Sequence, residues 1–244
     1  MIQPAPVLSV RNIVKRWREG DRGIEIEIAA LDLRAGEIKA LTGPSGSGKS
    51  TALDMLGLAL RPDDIGAMTL SHADGDTDLR PIVTGSSGDA RAAVRARYFS
   101  YVVQTSELIP FLSLADDIDL QQRISGTPDP SYARQLAEQL DIVDLMSSVP
   151  AALSVGQRQR AAVVRAAAAR PAILLADEPT SALDPDLKDR VLALLKTCAE
   201  AGSAVLIVTH DHALLETFAI PQVAVVAERL PGGWSTRFDD RDAA

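Results

Sequence analysis

The chain is short of cysteine, of positive charge and of long apolar runs. Its one cysteine among 244 residues, Cys198, has no partner for an internal disulfide. It falls on an apolar helical stripe with Leu187, Val191, Leu194 and Leu195, which predicts a buried core thiol rather than a reactive one. Three histidines and that cysteine make no metal-binding cluster. Lys and Arg number 25 against 33 Asp and Glu, a formal net charge of −8 that argues against a general nucleic-acid binder. No apolar stretch approaches the roughly 20 residues that cross a bilayer. Met1 to Val10 carries two prolines and no basic-then-apolar leader pattern. The expectation is a soluble, cytoplasmic chain that takes any membrane spans it works with from another polypeptide. No internal repeat is visible, and 46% hydrophobic residues suffice for a substantial core in one large domain or a domain with a subdomain.

Val7 to Ile13 and Ile24 to Leu33 alternate apolar and polar residues as half-buried strands do, with Gly20 to Gly23 as the turn. Ile38 to Thr42 reads as a strand and Lys49 to Leu60 as a helix stopped by Pro62. The polar stretch Asp63 to Asp89, with apolar runs at Ala67–Leu70 and Ile82–Thr84, predicts a small antiparallel β excursion with a mobile tip at Gly85–Gly88. Tyr98 to Val103 is a strand. Leu114 to Met146 turns helical, broken by Gly126, Pro128 and Pro130, and looks like an inserted helical subdomain. A helix follows at Val155–Arg170. Next come a continuous apolar strand at Ala172–Ala176, a helix at Pro185–Ala201 between Asp184 and Gly202, and strands at Ala204–Thr209 and Val223–Ala227. Strands alternating with helices predict an α/β fold with an open, mostly parallel sheet.

The chemistry-bearing positions begin at Gly43-Pro44-Ser45-Gly46-Ser47-Gly48-Lys49-Ser50, followed by Thr51. This is a G-x-x-x-x-G-K-[ST] loop between a strand and a helix, the context that separates it from an ordinary Gly/Ser turn. Its backbone N–H groups and the helix N-terminus suit phosphate. Lys49 supplies a mobile charge for the β- and γ-phosphates, and Ser50 a hydroxyl for Mg²⁺. Asp177 and Glu178 end an apolar strand. They read as a Mg²⁺ ligand followed by a base for an attacking water, or as two acidic residues at a helix start. His210 ends the next apolar strand, beside the same edge, where it can stabilise a γ-phosphate. His72 and His212 read as structural or solvated. Ser154, Gly156 and Gln157 open the long helix, either as a second anion site or with Ser154 as a plain N-cap. Two anion sites in one chain make sense if two copies meet head to tail and complete each other.

Gly43–Ser50, Gln104, Leu153–Gln157, Asp177–Glu178, Ser181–Asp184 and His210 occur in the order and approximate spacing of the ATP-binding cassette (ABC) ATPases. The chain resembles that family over about residues 7 to 228. The resemblance implies a P-loop NTPase core with an antiparallel β subdomain and an inserted helical subdomain, in a single domain. The core would take about residues 1–104 and 165–230, the helical subdomain about 105–164, and a short tail 231–244. It implies ATP and Mg²⁺ as cofactors, with Lys49 and the loop on the phosphates and Ser50, Gln104 and Asp177 on the metal. Glu178 would polarise water and His210 contact the γ-phosphate. Ser154, Gly156 and Gln157 would meet the ATP of the opposite subunit, and Asp184 would communicate across the dimer. Trp17 falls where the family places an aromatic against adenine; its other reading is a surface anchor between strands. Val155 stands where the family usually has glycine, and a β-branched residue there would be strained if the backbone needed positive φ.

The segment Tyr98 to Leu114 resembles its counterpart in ATPases of the lipoprotein-release, macrolide-export and cell-division type. That likeness implies an ATP-sandwich dimer at the cytoplasmic face of the inner membrane. Its partner would be an integral permease-type subunit, with a periplasmic or extracytoplasmic component beyond it and no nucleic acid. Gln104 to Leu114 and the helices after it would cup a coupling helix of that partner; the other reading of the apolar segment Leu108–Leu112 is buried core. A different class, a non-transport ABC ATPase acting in repair, on ribosomes or as a mechanical regulator of an envelope enzyme, remains open. A nucleotide kinase is disfavoured because it leaves Leu153–Gln157 and His210 unexplained.

Overall fold

Alternating apolar and polar side chains carry the first two strands, β1 (Pro6–Glu19) and β2 (Arg22–Arg34), which pair antiparallel. The computed structural model describes residues 6–19, 22–73, 75–230 and 233–240, so part of the expected turn at 20–23 lies outside the described residues. Strand β3 (Ile38–Leu41) leads through the Gly/Ser loop into helix α1 (Lys49–Leu56). The helix stops a turn earlier than the pattern predicts. Gly57 caps it, and Leu58 turns into the left-handed region at φ 58°.

The polar region from 63 is β only in its first half. Strands β4 (Asp64–His72) and β5 (Gly75–Asp78) pair antiparallel, and β4 also pairs with β1. The apolar run Ile82–Thr84, expected in the β excursion, lies instead in helix α2 (Arg80–Thr84). Pro81 sits in its first turn, where a missing N–H costs nothing, and Val83 is the side chain it buries. Gly85–Gly88 is a link between helices rather than a β tip. Ser87 accepts a hydrogen bond from the Ala90 N–H and caps α3 (Gly88–Tyr98). Strand β6 (Phe99–Val102) follows.

The helical insertion contains α4 (Leu114–Ser125), capped by Ser113 and ended by Gly126 in the left-handed region, and α5 (Pro130–Gln139), capped by Asp129. Two short 3₁₀ turns lead to α6 (Val155–Ala168). The remainder alternates strand and helix: β7 (Ile173–Asp177), α7 (Pro185–Glu200), β8 (Ala204–Val208), α8 (His212–Thr217), β9 (Gln222–Leu230) and β10 (Gly233–Asp239).

The described strands form one mixed sheet in the order β5-β4-β1-β2-β10-β9-β3-β8-β7-β6. Strands β9, β3, β8, β7 and β6 run parallel, and β4, β1 and β2 form the antiparallel wing. The stretch expected as a short tail contains β10, which joins the two halves: parallel to β2, antiparallel to β9. Alternate residues of β7 and β8 serve opposite cores. Leu174, Ala176, Val205 and Ile207 pack with the helical insertion and α7, whereas Ile173, Leu175, Leu206 and Val208 pack with α1 and the antiparallel wing. That is why these two strands read as unbroken apolar runs. Cys198 is buried in the first core, and burial pushes its thiol up to about 11.

Candidate active site at the strand ends

The loop after β3 is shaped by positions that only glycine fills. Gly48 has φ 85°, and a Cβ there would lie 2.1 Å from Ile26 Cδ1 of β2. The loop therefore presses against the sheet at Gly48. Lys49 is buried, and its Nζ donates to the carbonyls of Gly43 and Pro44 at 2.9 Å each. A cavity of about 570 Å³ opens beside the loop. Ser45, Gly46, Gly48, Lys49, Ser50 and Thr51 line it from one side, and Gln104, Asp177, Glu178 and His210 from the other.

Asp177 ends β7 and is almost fully buried. Its Oδ1 has no hydrogen-bond partner among the described residues. Burial raises its pKa above the ordinary carboxylate value; the Ser50 hydroxyl counters this, while the nearby charges of Glu178 and Asp54 add to it. Glu178 follows in the left-handed region at φ 47°, unusual for a residue with a side chain. Its N–H donates to the Val208 carbonyl at 2.9 Å, and its Oε1 lies 2.8 Å from His210 Nδ1. The His210 ring is largely exposed while the Glu178 side chain is mostly covered, so the ring holds the carboxylate at the cavity wall.

Ser154, Gly156 and Gln157 lie elsewhere. They open α6, outside the lining of that cavity. Ser154 Oγ accepts from the Gln157 N–H at 3.2 Å, and Gln157 Oε1 accepts from the Ser154 N–H at 2.8 Å, a reciprocal capping box. Val155 is in the first helical turn with its side chain exposed, and it is not among the residues with positive φ, so it is unstrained. Gly156 is the close approach: a Cβ there would meet the Ala182 carbonyl at 3.1 Å. Asp184 caps α7, accepting from the Leu187 N–H at 3.0 Å. Trp17 is exposed on β1 opposite Ile24 of β2, which is opposite Trp234 of β10. The three make an exposed apolar row on the sheet face that carries Ile26 beneath the phosphate loop.

The family model described as "ABC transporter" matches residues 26–181. The chain belongs to this family. A lipoprotein-releasing system ATP-binding protein, LolD of Maricaulis maris, is 41% identical over 191 residues, 76% of this chain and 79% of LolD. The macrolide export ATP-binding/permease protein MacB of Brucella melitensis is 33% identical over 216 residues, 87% of this chain and 32% of that longer protein. Among solved structures, the fold is similar to a dimeric post-hydrolysis state of the ATP-binding cassette MJ0796 bound to ADP and Pi. The TM-score is 0.72 at 28% identity, with 85% of this chain and 89% of that one covered. The protein is thus an ABC ATPase of the type found in lipoprotein-release and macrolide-export systems, and it binds and hydrolyses ATP.

For this ABC ATPase the oxygen donors suit Mg²⁺. An unpartnered buried carboxylate oxygen, a serine hydroxyl and an amide share one cavity, and hard oxygen ligands of this kind hold Mg²⁺ together with substrate phosphates. Among the described residues no group of three His, Cys, Asp or Glu is placed to hold a metal ion by itself. Two sets of residues outside the cavity lining were not legible as candidates in the sequence. Ile24 and Trp234 join Trp17 only through strand pairing, which leaves no local signal. Gln159 was visible as part of the α6 opening, but its contacts with the loop after β7 arise only in three dimensions.

Proposed function

We propose that this ABC ATPase is the nucleotide-driven subunit of a membrane complex and works as a head-to-tail dimer around two ATP. The observation that carries this reading is the division of the machinery. Lys49, Ser50, Asp177, Glu178 and His210 share one cavity, whereas Ser154–Gln157 faces solvent at a separate helix N-terminus. A helix N-terminus with an exposed serine and a glycine suits an anion, and a second copy would bring it over the first copy's nucleotide.

In this arrangement the loop N–H groups and Lys49 hold the phosphates, exchanging the Gly43 and Pro44 carbonyls for phosphate oxygens. Ser50, Gln104 and Asp177 would hold Mg²⁺, and the ion would supply charge neutralisation for the bound phosphates. Glu178 accepts a proton from the attacking water, and His210 keeps its carboxylate aimed while reaching the γ-phosphate. Ser154, Gly156 and Gln157 of one copy hold the γ-phosphate of the ATP bound to the other, and Asp184 relays between the two sites. Trp17 stacks on the adenine, with Ile24 and Trp234 extending the apolar wall.

The partner is an integral membrane subunit, which places the ATPase peripherally on the cytoplasmic face of the membrane. No helix among the described residues is long and apolar enough to cross a membrane. Its docking surface is the groove of about 550 Å³ between α3, β6 and α4, lined by Phe99, Leu108, Ile109, Pro110 and Ile124. Beside it Phe111 is 81% exposed. Asp117 of α4 fixes the groove wall, accepting from the Ile109 N–H at 3.2 Å and from Arg165 of α6 at 3.4 Å. The similarity to LolD and MacB supports a partner of the release or export type, through which closure of the dimer does mechanical work.

Glu178→Gln is the test. It is expected to abolish steady-state ATP hydrolysis, keep MgATP binding and accumulate a dimer that, tagged, recovers a multi-span protein from native membranes. Unchanged turnover would remove Glu178 as the base; recovery of soluble partners alone would remove the membrane assignment.

A further inference from the structure

Gln159 lies on α6, one turn beyond the capping box, and is 2% exposed. Its amide uses both ends. Nε2 donates to the Glu178 carbonyl at 2.7 Å and to Ser181 Oγ at 3.2 Å, and Oε1 accepts from the Ala182 N–H at 2.9 Å. One buried side chain thus joins the helix that opens at Ser154 to the proposed base and to the loop ending at Asp184.

The residue it grips needs holding. Glu178 sits at φ 47°, where the Cβ crowds the backbone, and such a conformation persists only when its surroundings over-determine it. The Glu178 N–H is held by Val208, and its carbonyl by Gln159 and, at 3.2 Å, by the Ser181 N–H. Without the Gln159 amide, the carbonyl keeps only that longer bond. The peptide can then relax out of the left-handed region and swing the carboxylate away from His210 and the cavity.

We propose that Gln159 is a positioning residue for ATP hydrolysis, holding the strained Glu178 backbone so that its carboxylate faces the attacking water. The proposal rests on the reading of Glu178 as the base. It adds a physical link between the two halves of a composite site. A shift of α6 caused by phosphate at Ser154–Gln157 reaches the Glu178 carbonyl through a single buried amide. The same amide carries it to the backbone of Ala182.

The experiment is a double-mutant cycle on the full chain, measuring steady-state kcat and KM for ATP and single-turnover hydrolysis. Gln159→Leu removes all three hydrogen bonds at similar volume. Gln159→Glu keeps an acceptor for Ala182 and replaces the donor to Glu178 with an oxygen. Both are expected to lower kcat about tenfold or more while leaving KM within about threefold, a loss of transition-state rather than ground-state interaction. In the Glu178→Gln background the same substitutions are expected to change the single-turnover rate by less than about twofold, because a residue acting through Glu178 has nothing left to act on. An equal loss in both backgrounds would overturn the proposal, as would unchanged kcat, or loss of ATP binding in both Gln159 variants. Full turnover by Glu178→Gln alone would instead defeat the base assignment. Inactive Glu178→Gln beside fully active Gln159 variants would defeat only the positioning role of Gln159.

Discussion

Asp177 is held in a place that folding alone disfavours. A carboxylate buried with one oxygen unpartnered costs free energy, and its raised pKa is the same cost seen from the proton's side. Replacing it by asparagine removes the charge while keeping the shape. Asp177→Asn is therefore expected to raise Tm in Mg²⁺-free buffer, by about 2–4 °C for each kcal/mol relieved in a chain of this size. The same variant is expected to lose Mg²⁺-dependent ATP hydrolysis. Calorimetry without metal and a phosphate-release assay with Mg²⁺ check the two halves, and a fall in metal-free Tm would contradict the account. The identity of Asp177 and Glu178 was legible because an apolar run ending in two acids stands out. The left-handed backbone of Glu178 was not, since only glycine and asparagine advertise that conformation in a sequence.

Helix α6 shows how one residue can satisfy two readings at once. Ser154 is an N-cap in this structure, and its exposed position at a helix start also suits a phosphate from a second copy. Ser154→Asp separates them. Aspartate caps as well as serine, so the monomer's Tm is expected to hold within the effect of an ordinary surface change. Its charge would repel a partner's γ-phosphate, so ATP-dependent dimerisation in the Glu178→Gln background is expected to fail, as read by size-exclusion chromatography with MgATP. Dimerisation at the parental level would leave only the cap. Elements defined by local chemistry were readable in this way: the helices that start at Ser154 and Asp184, the glycine-bearing loop, the unbroken strands β7 and β8. Elements whose patterns are short and ambiguous were not. Ile82–Thr84 carries apolar side chains suited to either state, and Pro81 with the burial of Val83 decided for a helix.

For the molecule as a whole, β10 is the piece on which continuity depends. It lies between β2 and β9 and joins the antiparallel wing to the parallel core, and Phe238 on it is 1% exposed. Phe238→Ala is expected to cost about 3–5 kcal/mol, the usual range for emptying a buried aromatic site. Urea unfolding followed by circular dichroism measures it. A loss within the range of a surface substitution would mean that the strand is ornamental. If the wing separates first, nucleotide binding should fail with it, because β2 supplies the Ile26 against which the phosphate loop rests.

The amino-acid order alone was enough for the loop from Gly43 to Ser50, the acidic strand end, the caps at Ser154 and Asp184 and the α/β alternation. Each of these depends on backbone and side-chain requirements met within a few residues. Tertiary structure decided the rest. It placed β10 inside the sheet, set Trp17, Ile24 and Trp234 in one row, and brought Gln159 to the carbonyl of a residue 19 positions away. It also kept Ser154 apart from the cavity that holds Lys49. These depend on strand order and on which faces are buried together, and non-local pairings are chosen by the burial of the whole core rather than by any local pattern.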